Sequence, residues 1–307
     1  MPTTSLRYRQ EYLSTSLGIV VSQSSPVPSW RSPVWLVLLS MASIHFGAAI
    51  AKGLFAQVSP IGVVSLRLGL GAVVLLVLVR PRWRQYSLRH CGGLALLGLT
   101  MGLMNTLFYN AIAYIPIGTA VTLEFVGPLG VALFHSQRRR DWLWVAMAAA
   151  GVLLLAPVGG GALHPIGVTL ALLAGSCWAA YIVLANRVAR VFPGSEGTAL
   201  AMTVGAIAVV PFGIAAEGAN LLHPSVLVLG LAVAVLSSAL PYSLEMAALR
   251  QMPVKVFGVL MSLEPAVASV VGLLVLGEQL SLRMVMAISL VSFASAGSTF
   301  QSRVPVK

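Results

Sequence analysis

The chain has 307 residues, 58% of them hydrophobic and only 9% charged, and its mean hydropathy is +0.93. Soluble proteins carry roughly 25% charged residues, so this composition excludes a soluble globular domain and marks an integral membrane protein. The net charge of +11 would suit nucleic acid, but the basic residues fall in short gaps between apolar runs and build no basic face interleaved with aromatics. Nucleic-acid binding is therefore excluded and a lipid bilayer is the implied surrounding.

Residues 1–33 are polar, rich in Ser and Pro, and carry Arg7, Arg9 and Arg31. Their one apolar piece, Leu17 to Val21, is too short for the core of a signal peptide, which predicts a disordered cytoplasmic tail. Apolar runs of membrane-crossing length, about 20 residues each, follow at 34–57, 60–79, 91–113, 118–135, 141–157, 166–186, 198–216, 224–249, 255–277 and 281–300. The pattern predicts an all-α integral membrane protein with ten transmembrane helices and a short cytoplasmic tail at 301–307. Cys91 and Cys177 adjoin or sit in apolar runs and read as reduced, with no disulfide framework.

Charge placement sets the orientation. Of the 19 Lys and Arg residues, all but Lys52, Arg67 and Arg283 lie in alternate gaps or in the tails, and the gaps near 58, 116, 160 and 220 hold none. Both termini are thus expected in the cytoplasm.

A shift of 137 residues superposes the chain on itself. It carries Leu107, Ala111, Pro116, Leu123, Pro128 and Leu143 onto Leu244, Ala248, Pro253, Leu260, Pro265 and Leu280, and Asp141 onto Glu278, without a gap; a shift of 133 brings Ser43 onto Ser176. The expected domains are two five-helix repeats, 34–157 and 166–300. An odd number of helices forces the second repeat to insert upside down, a transporter design with its site near the midplane between the halves.

Five formal charges lie well inside apolar runs: Lys52, Arg67, Glu124, Glu245 and Glu264. An intramembrane charge is costly without a partner or a proton. Lys52, Arg67 and Glu124 each lie about five to seven residues from the outer ends of their helices, so at ~1.5 Å per residue they share a layer and are expected around one polar cavity. There Arg67, and Lys52 with it, would take a carboxylate, and Glu124 or Glu264 an ammonium group or a proton. The alternative is a static ion pair locking helices together, with Lys52 snorkelling. Function is favoured for Glu124 and Glu264 and structure for Lys52 and Glu245, with Arg67 balanced between them. Spacing reveals no basic neighbour for Glu264, which makes it the better proton carrier.

Helical spacing adds polar neighbours. His45 and Lys52 share a face, as do Asn105 and Tyr109, Trp178 and Tyr181, and the set Ser238, Tyr242 and Glu245. Each can touch substrate or simply pack, and His45 can carry a proton or serve as a structural histidine. Pro128, Pro241 and Pro265 each interrupt a run and can act as hinges or as packing kinks.

Other chemistry is missing. None of the three lysines, Lys52, Lys255 and Lys307, stands in a Gly-Lys-Ser/Thr phosphate loop, the five histidines form no HExxH motif, and Asp141 is the lone aspartate. No cofactor or metal is implied, and an enzyme is the minor alternative.

Several runs carry a resemblance: Met41-Ala-Ser-Ile-His-Phe-Gly-Ala-Ala-Ile-Ala-Lys52, Leu123-Glu-Phe-Val-Gly-Pro-Leu129, Cys177-Trp178 with Tyr181, Leu240-Pro-Tyr-Ser-Leu-Glu-Met246, and Leu260-Met-Ser-Leu-Glu-Pro265 with Leu276-Gly-Glu278. Over residues 33–300 the chain resembles the drug/metabolite transporter superfamily of EamA type, and within it the threonine/homoserine exporters of bacterial inner membranes. The resemblance implies export of small neutral amino acids, by antiport with protons. A carrier of the same fold for a cationic drug or a purine is the runner-up, and a homodimer is left open.

Overall fold

In a computed structural model the described residues are 33–82, 86, 88–134, 141–155, 163–192, 195–249, 251, 252 and 254–301. Of the expected N-terminal tail, 1–33, all but Pro33, which opens the first helix, lies outside them, as do almost all of the C-terminal tail and the loop residues Arg84, Arg138, Arg139, Arg140 and Arg250.

All regular structure among the described residues is helical: α1 (Pro33–Leu54), α2 (Pro60–Val79), α3 (Leu88–Tyr114), α4 (Ile117–Glu124), α5 (Val126–Phe134), α6 (Asp141–Leu155), α7 (Pro165–Ala189), α8 (Glu196–Glu217), α9 (Pro224–Ala234), α10 (Leu240–Leu249), α11 (Val254–Met261), α12 (Glu264–Leu276) and α13 (Leu282–Gln301). Hydrocarbon offers backbone groups no partners, so helices that satisfy themselves are the stable choice for such apolar runs. Pro60, Pro165 and Pro224 open α2, α7 and α9, where a missing N–H costs nothing. Gly277, at φ 66°, closes α12 in the left-handed conformation that glycine adopts freely.

Among the described residues, seven helical spans are long and apolar enough to cross a membrane, and three shorter apolar stretches, Ile117–Val131, Trp142–Leu154 and Leu282–Gly297, fall in the fourth, fifth and tenth predicted runs. Three predicted runs are broken. The fourth divides at Phe125 into α4 and α5, and the ninth divides at Ser262-Leu263 into α11 and α12. The eighth carries a π-helical turn, Val235–Ala239, between α9 and α10. Moved by 137 residues, the bounds of α4 fall on the bounds of α11.

Each proline expected as a hinge lies just after its break: Pro128 is third in α5, Pro241 second in α10 and Pro265 second in α12. In a first turn the ring fits, and the interruption is displaced to the residues before it.

α1 packs against α9, the π turn, α10 and α12, whereas α7 packs against α3, α4 and α5. α2 lies on α8, and α6 pairs with α13. Two crossings depend on small residues: a Cβ on Gly127 would fall on the carbonyl of Gly175, and one on Gly98 would meet the carbonyl of Ala201. The larger apolar cluster gathers Leu68, Met101 and Met202, and a second gathers Ala48, Ile112, Val121 and Ala268; Phe108 packs against both.

Candidate functional site

A cavity of about 220 Å³ lies beside Phe108, and the polar residues of the membrane interior converge on it. α1 supplies His45, α2 Arg67, α3 Asn105, α4 Glu124, α7 Trp178 and Tyr181, α10 Tyr242 and Glu245, and α12 Glu264. Glu124 is the last residue of α4 and Glu264 the first of α12, so the two helix breaks place both carboxylates at the wall.

Arg67 is held from behind. Its Nη1 donates to the Tyr109 hydroxyl at 3.1 Å and its Nη2 to the Ser237 carbonyl at 3.1 Å, with the guanidinium carbon 5.2 Å from the centre of the Tyr109 ring. Pro241 has no N–H to give the carbonyl four residues back, and that carbonyl, on Ser237, is the one Arg67 takes. Nε of Arg67 is buried without a hydrogen-bond partner in the protein. Glu124, 8% exposed, makes no ion pair with Arg67. A fork with a free N–H and an unpaired carboxylate therefore line the same cavity, and both can take up groups of a bound molecule.

A second pair is looser still. His45 Nε2 lies 3.7 Å from Glu264 Oε1, too far for a good hydrogen bond. Both ring nitrogens of His45 and Oε2 of Glu264 are buried with no hydrogen-bond partner in the protein. Most buried polar groups are satisfied, so a cluster left open in this way calls for an explanation. Glu245 differs: it accepts from Ser40 Oγ at 2.7 Å. Tyr181 and Tyr242 interact through their hydroxyls, and Trp178 meets Phe125, at the break between α4 and α5, edge to face at 5.2 Å.

Three of the candidate residues stand away from the cavity, as the structural alternatives allow. Lys52 does not line the cavity: its Nζ donates to Glu278 Oε1 at 2.7 Å and to the Ile115 carbonyl at 3.0 Å. Seven residues beyond His45 on the same face, it stands about 10 Å further along α1, enough to reach a different layer. Tyr109, fully buried, stands behind Arg67 and does not face the cavity. Ser238 also points away, and Ser237 takes its place at the wall. The π turn inserts one extra residue per turn, which advances the face by one position and sets Ser237 above Tyr242.

Spacing also missed the partners. His45 is the basic neighbour of Glu264, and Ser43 Oγ donates to the Leu236 carbonyl in the π turn at 2.7 Å. The Ser40, Ser43 and His45 run on α1 was the available signal, since polar groups in a membrane helix face other helices. Among the described residues no group of three or more His, Cys, Asp or Glu could hold a metal ion.

The comparisons with known proteins agree with one another. A model of the EamA-like transporter family matches the chain twice, over residues 31–156 and 165–300. The chain is similar to the threonine/homoserine exporter RhtA of Salmonella typhimurium (strain SL1344), 45% identical over 285 residues that make up 91% of this chain and 96% of that protein. RhtA of Escherichia coli (strain K12) is also 45% identical, over 280 residues covering 89% and 94%. The uncharacterized transporter YwfM of Bacillus subtilis (strain 168) is 26% identical over 195 residues, 61% of this chain and 66% of that one. A solved crystal structure at 18% identity, covering 88% of this chain and 98% of its own, superposes with a TM-score of 0.56 and shares the fold. With its apolar helical spans and this likeness along most of its length, the chain is a multi-pass membrane protein and belongs to the EamA-like transporter family.

Proposed function

We propose that the chain is a secondary exporter of small neutral amino acids such as threonine and homoserine, working by alternating access in exchange for protons. The observation that carries this reading is the cavity itself, where the free Nε of Arg67 and the unpaired Glu124 line one wall system. A zwitterion satisfies both, its carboxylate on Arg67 and its ammonium on Glu124. Size supports the same class: drug-sized ligands occupy roughly 300–1,000 Å³, and this cavity holds about 220 Å³. The 45% identity to proteins named threonine/homoserine exporters supports those two substrates.

The proposed architecture is ten membrane-crossing helices in two inverted five-helix repeats, 34–157 and 166–300, in a bacterial inner membrane with both termini in the cytoplasm. Supporting it are the double match of one family model, the recurrence of the α4 bounds in α11, and the exchange by which α1 packs among α9–α12 and α7 among α3–α5. Glu264 with His45 is the proposed proton site, and the breaks before Pro128, Pro241 and Pro265 are the proposed hinges.

Three carboxylates against one arginine also suit a cationic substrate, which keeps a cationic-drug carrier as the second reading. Efflux of threonine and homoserine from cells carrying Glu124→Gln and Glu264→Gln tests the first reading. Efflux at the wild-type rate in both variants sinks the carboxylate assignment, and resistance to lipophilic cations without resistance to threonine analogues favours the second reading.

A further inference from the structure

We propose that Lys52 and Glu278 form the latch of an outer gate, closed in this structure, that must part each time the cavity opens to the outside. The inference rests on the alternating-access reading and on the orientation given above, which puts the ends of α1 and α12 on the outer side.

The contacts join three separate segments at one carboxylate. Glu278 Oε1 accepts from Lys52 Nζ at 2.7 Å, and both its oxygens accept from the Ile117 backbone N–H, at 3.1 and 3.0 Å. Lys52 Nζ donates in turn to the Ile115 carbonyl at 3.0 Å. The end of α1, the turn between α3 and α4, and the loop after α12 are thereby tied together. The seat for the carboxylate is built in: Gly277 turns the chain at φ 66°, the Glu278 N–H donates to the Gly272 carbonyl at 3.1 Å, and a Cβ on Gly272 would collide with the carboxylate.

Between this latch and the cavity lies an apolar layer. Ala48, Ile112, Ile117, Val121, Ala268 and Val271 are all less than 5% exposed and form one apolar cluster. On the other side of the cavity, Tyr181 is shared with a second cavity of about 40 Å³ that reaches Val188 and Phe192, towards the expected cytoplasmic end of α7. The site is thus sealed by an apolar plug and an ion pair at one end. The pair spans the two proposed repeats, with Lys52 in the first and Glu278 in the second, so a rocking motion between them stretches this contact. The flanking helices α4 and α12 both end at a break by the cavity, which lets each swing as a short rod.

The test is labelling from outside. A cysteine placed at Met104, which lines the cavity outside the plug, in a Cys91→Ser, Cys177→Ser background, reports access to the cavity by a membrane-impermeant thiol reagent added to intact cells. The latch predicts slow labelling with the native pair and with Lys52→Arg, and labelling about tenfold faster in Lys52→Met and in Glu278→Gln, as the outward-open population rises by the same factor. Unchanged labelling in both broken-pair variants overturns the latch. Because labelling needs no substrate, that failure is distinct from failure of the export reading, which would appear as absent threonine efflux with the labelling pattern intact.

Discussion

Two buried or half-buried acid–base pairs lie in this molecule about two helical turns apart along α1, and they are built in opposite ways. Lys52 and Glu278 meet at 2.7 Å and spend every remaining contact on backbone groups. His45 and Glu264 stand 3.7 Å apart, with three polar atoms left without protein partners. A satisfied pair holds segments in place, whereas an unsatisfied one stores electrostatic cost that a proton or a ligand relieves. The contrast teaches that charges in membrane helices separate by their partners: one pair has its contacts filled by the fold, and the other keeps polar atoms open to a ligand or a proton.

The contrast can be broken or sharpened by substitution. The largest effect is expected at Arg67→Lys. An ammonium cannot reach the Tyr109 hydroxyl and the Ser237 carbonyl in one plane and still present a free N–H, so threonine efflux should fall about 100-fold, near 3 kcal/mol. An initial rate within a few-fold of wild type would reassign Arg67 to anchoring α2.

The two pairs should then respond with opposite signs. Glu264→Gln removes a buried carboxylate that lacks a full set of partners, so the thermal midpoint in detergent should hold or rise by the equivalent of about 1 kcal/mol, while efflux into liposomes driven by a pH gradient drops about tenfold. A falling midpoint together with intact coupling would make this pair structural. Lys52→Met should act the other way, lowering stability by about 2 kcal/mol, less than the 3–5 kcal/mol of a fully buried broken pair, because the Lys52 side chain is 24% exposed.

The smallest change is expected at Ser237→Ala. Arg67 binds the backbone carbonyl of that residue, and the hydroxyl makes only a 3.4 Å contact to the Ile44 carbonyl. Stability should move by no more than about 0.5 kcal/mol, with little change in efflux rate. A large loss in either would mean that the hydroxyl itself touches the cargo.

Much of the lining of the candidate site is legible in the sequence because a charge inside an apolar run is conspicuous. Arg67, Glu124, Glu245 and Glu264 stood out on cost alone, and helical spacing added Asn105, Trp178, Tyr181 and Tyr242, all of which line the cavity. Spacing fixes the face of one helix and says little about the distance to another. Depth alone therefore groups Lys52 with Arg67, whereas its partner lies 226 residues away in the chain. Tyr109 shares a helical face with Asn105, yet its longer side chain reaches α2 and leaves the cavity to the amide. The helix breaks were signalled by Pro128 and Pro265, but their location was not, because proline marks where the next helix starts more firmly than where the last one stops.

The π turn changes what the Ser237-Ser238 doublet means. In a plain α-helical register Ser238 would stand over Tyr242 and Glu245, while in the observed one Ser237 does. Both positions carry the same side chain, so a bulge migrating by one residue along this helix would exchange one hydroxyl for another at the wall. The repetition leaves a serine at the wall-facing position in either register, so the residue types alone carry no sign of which of the two stands there.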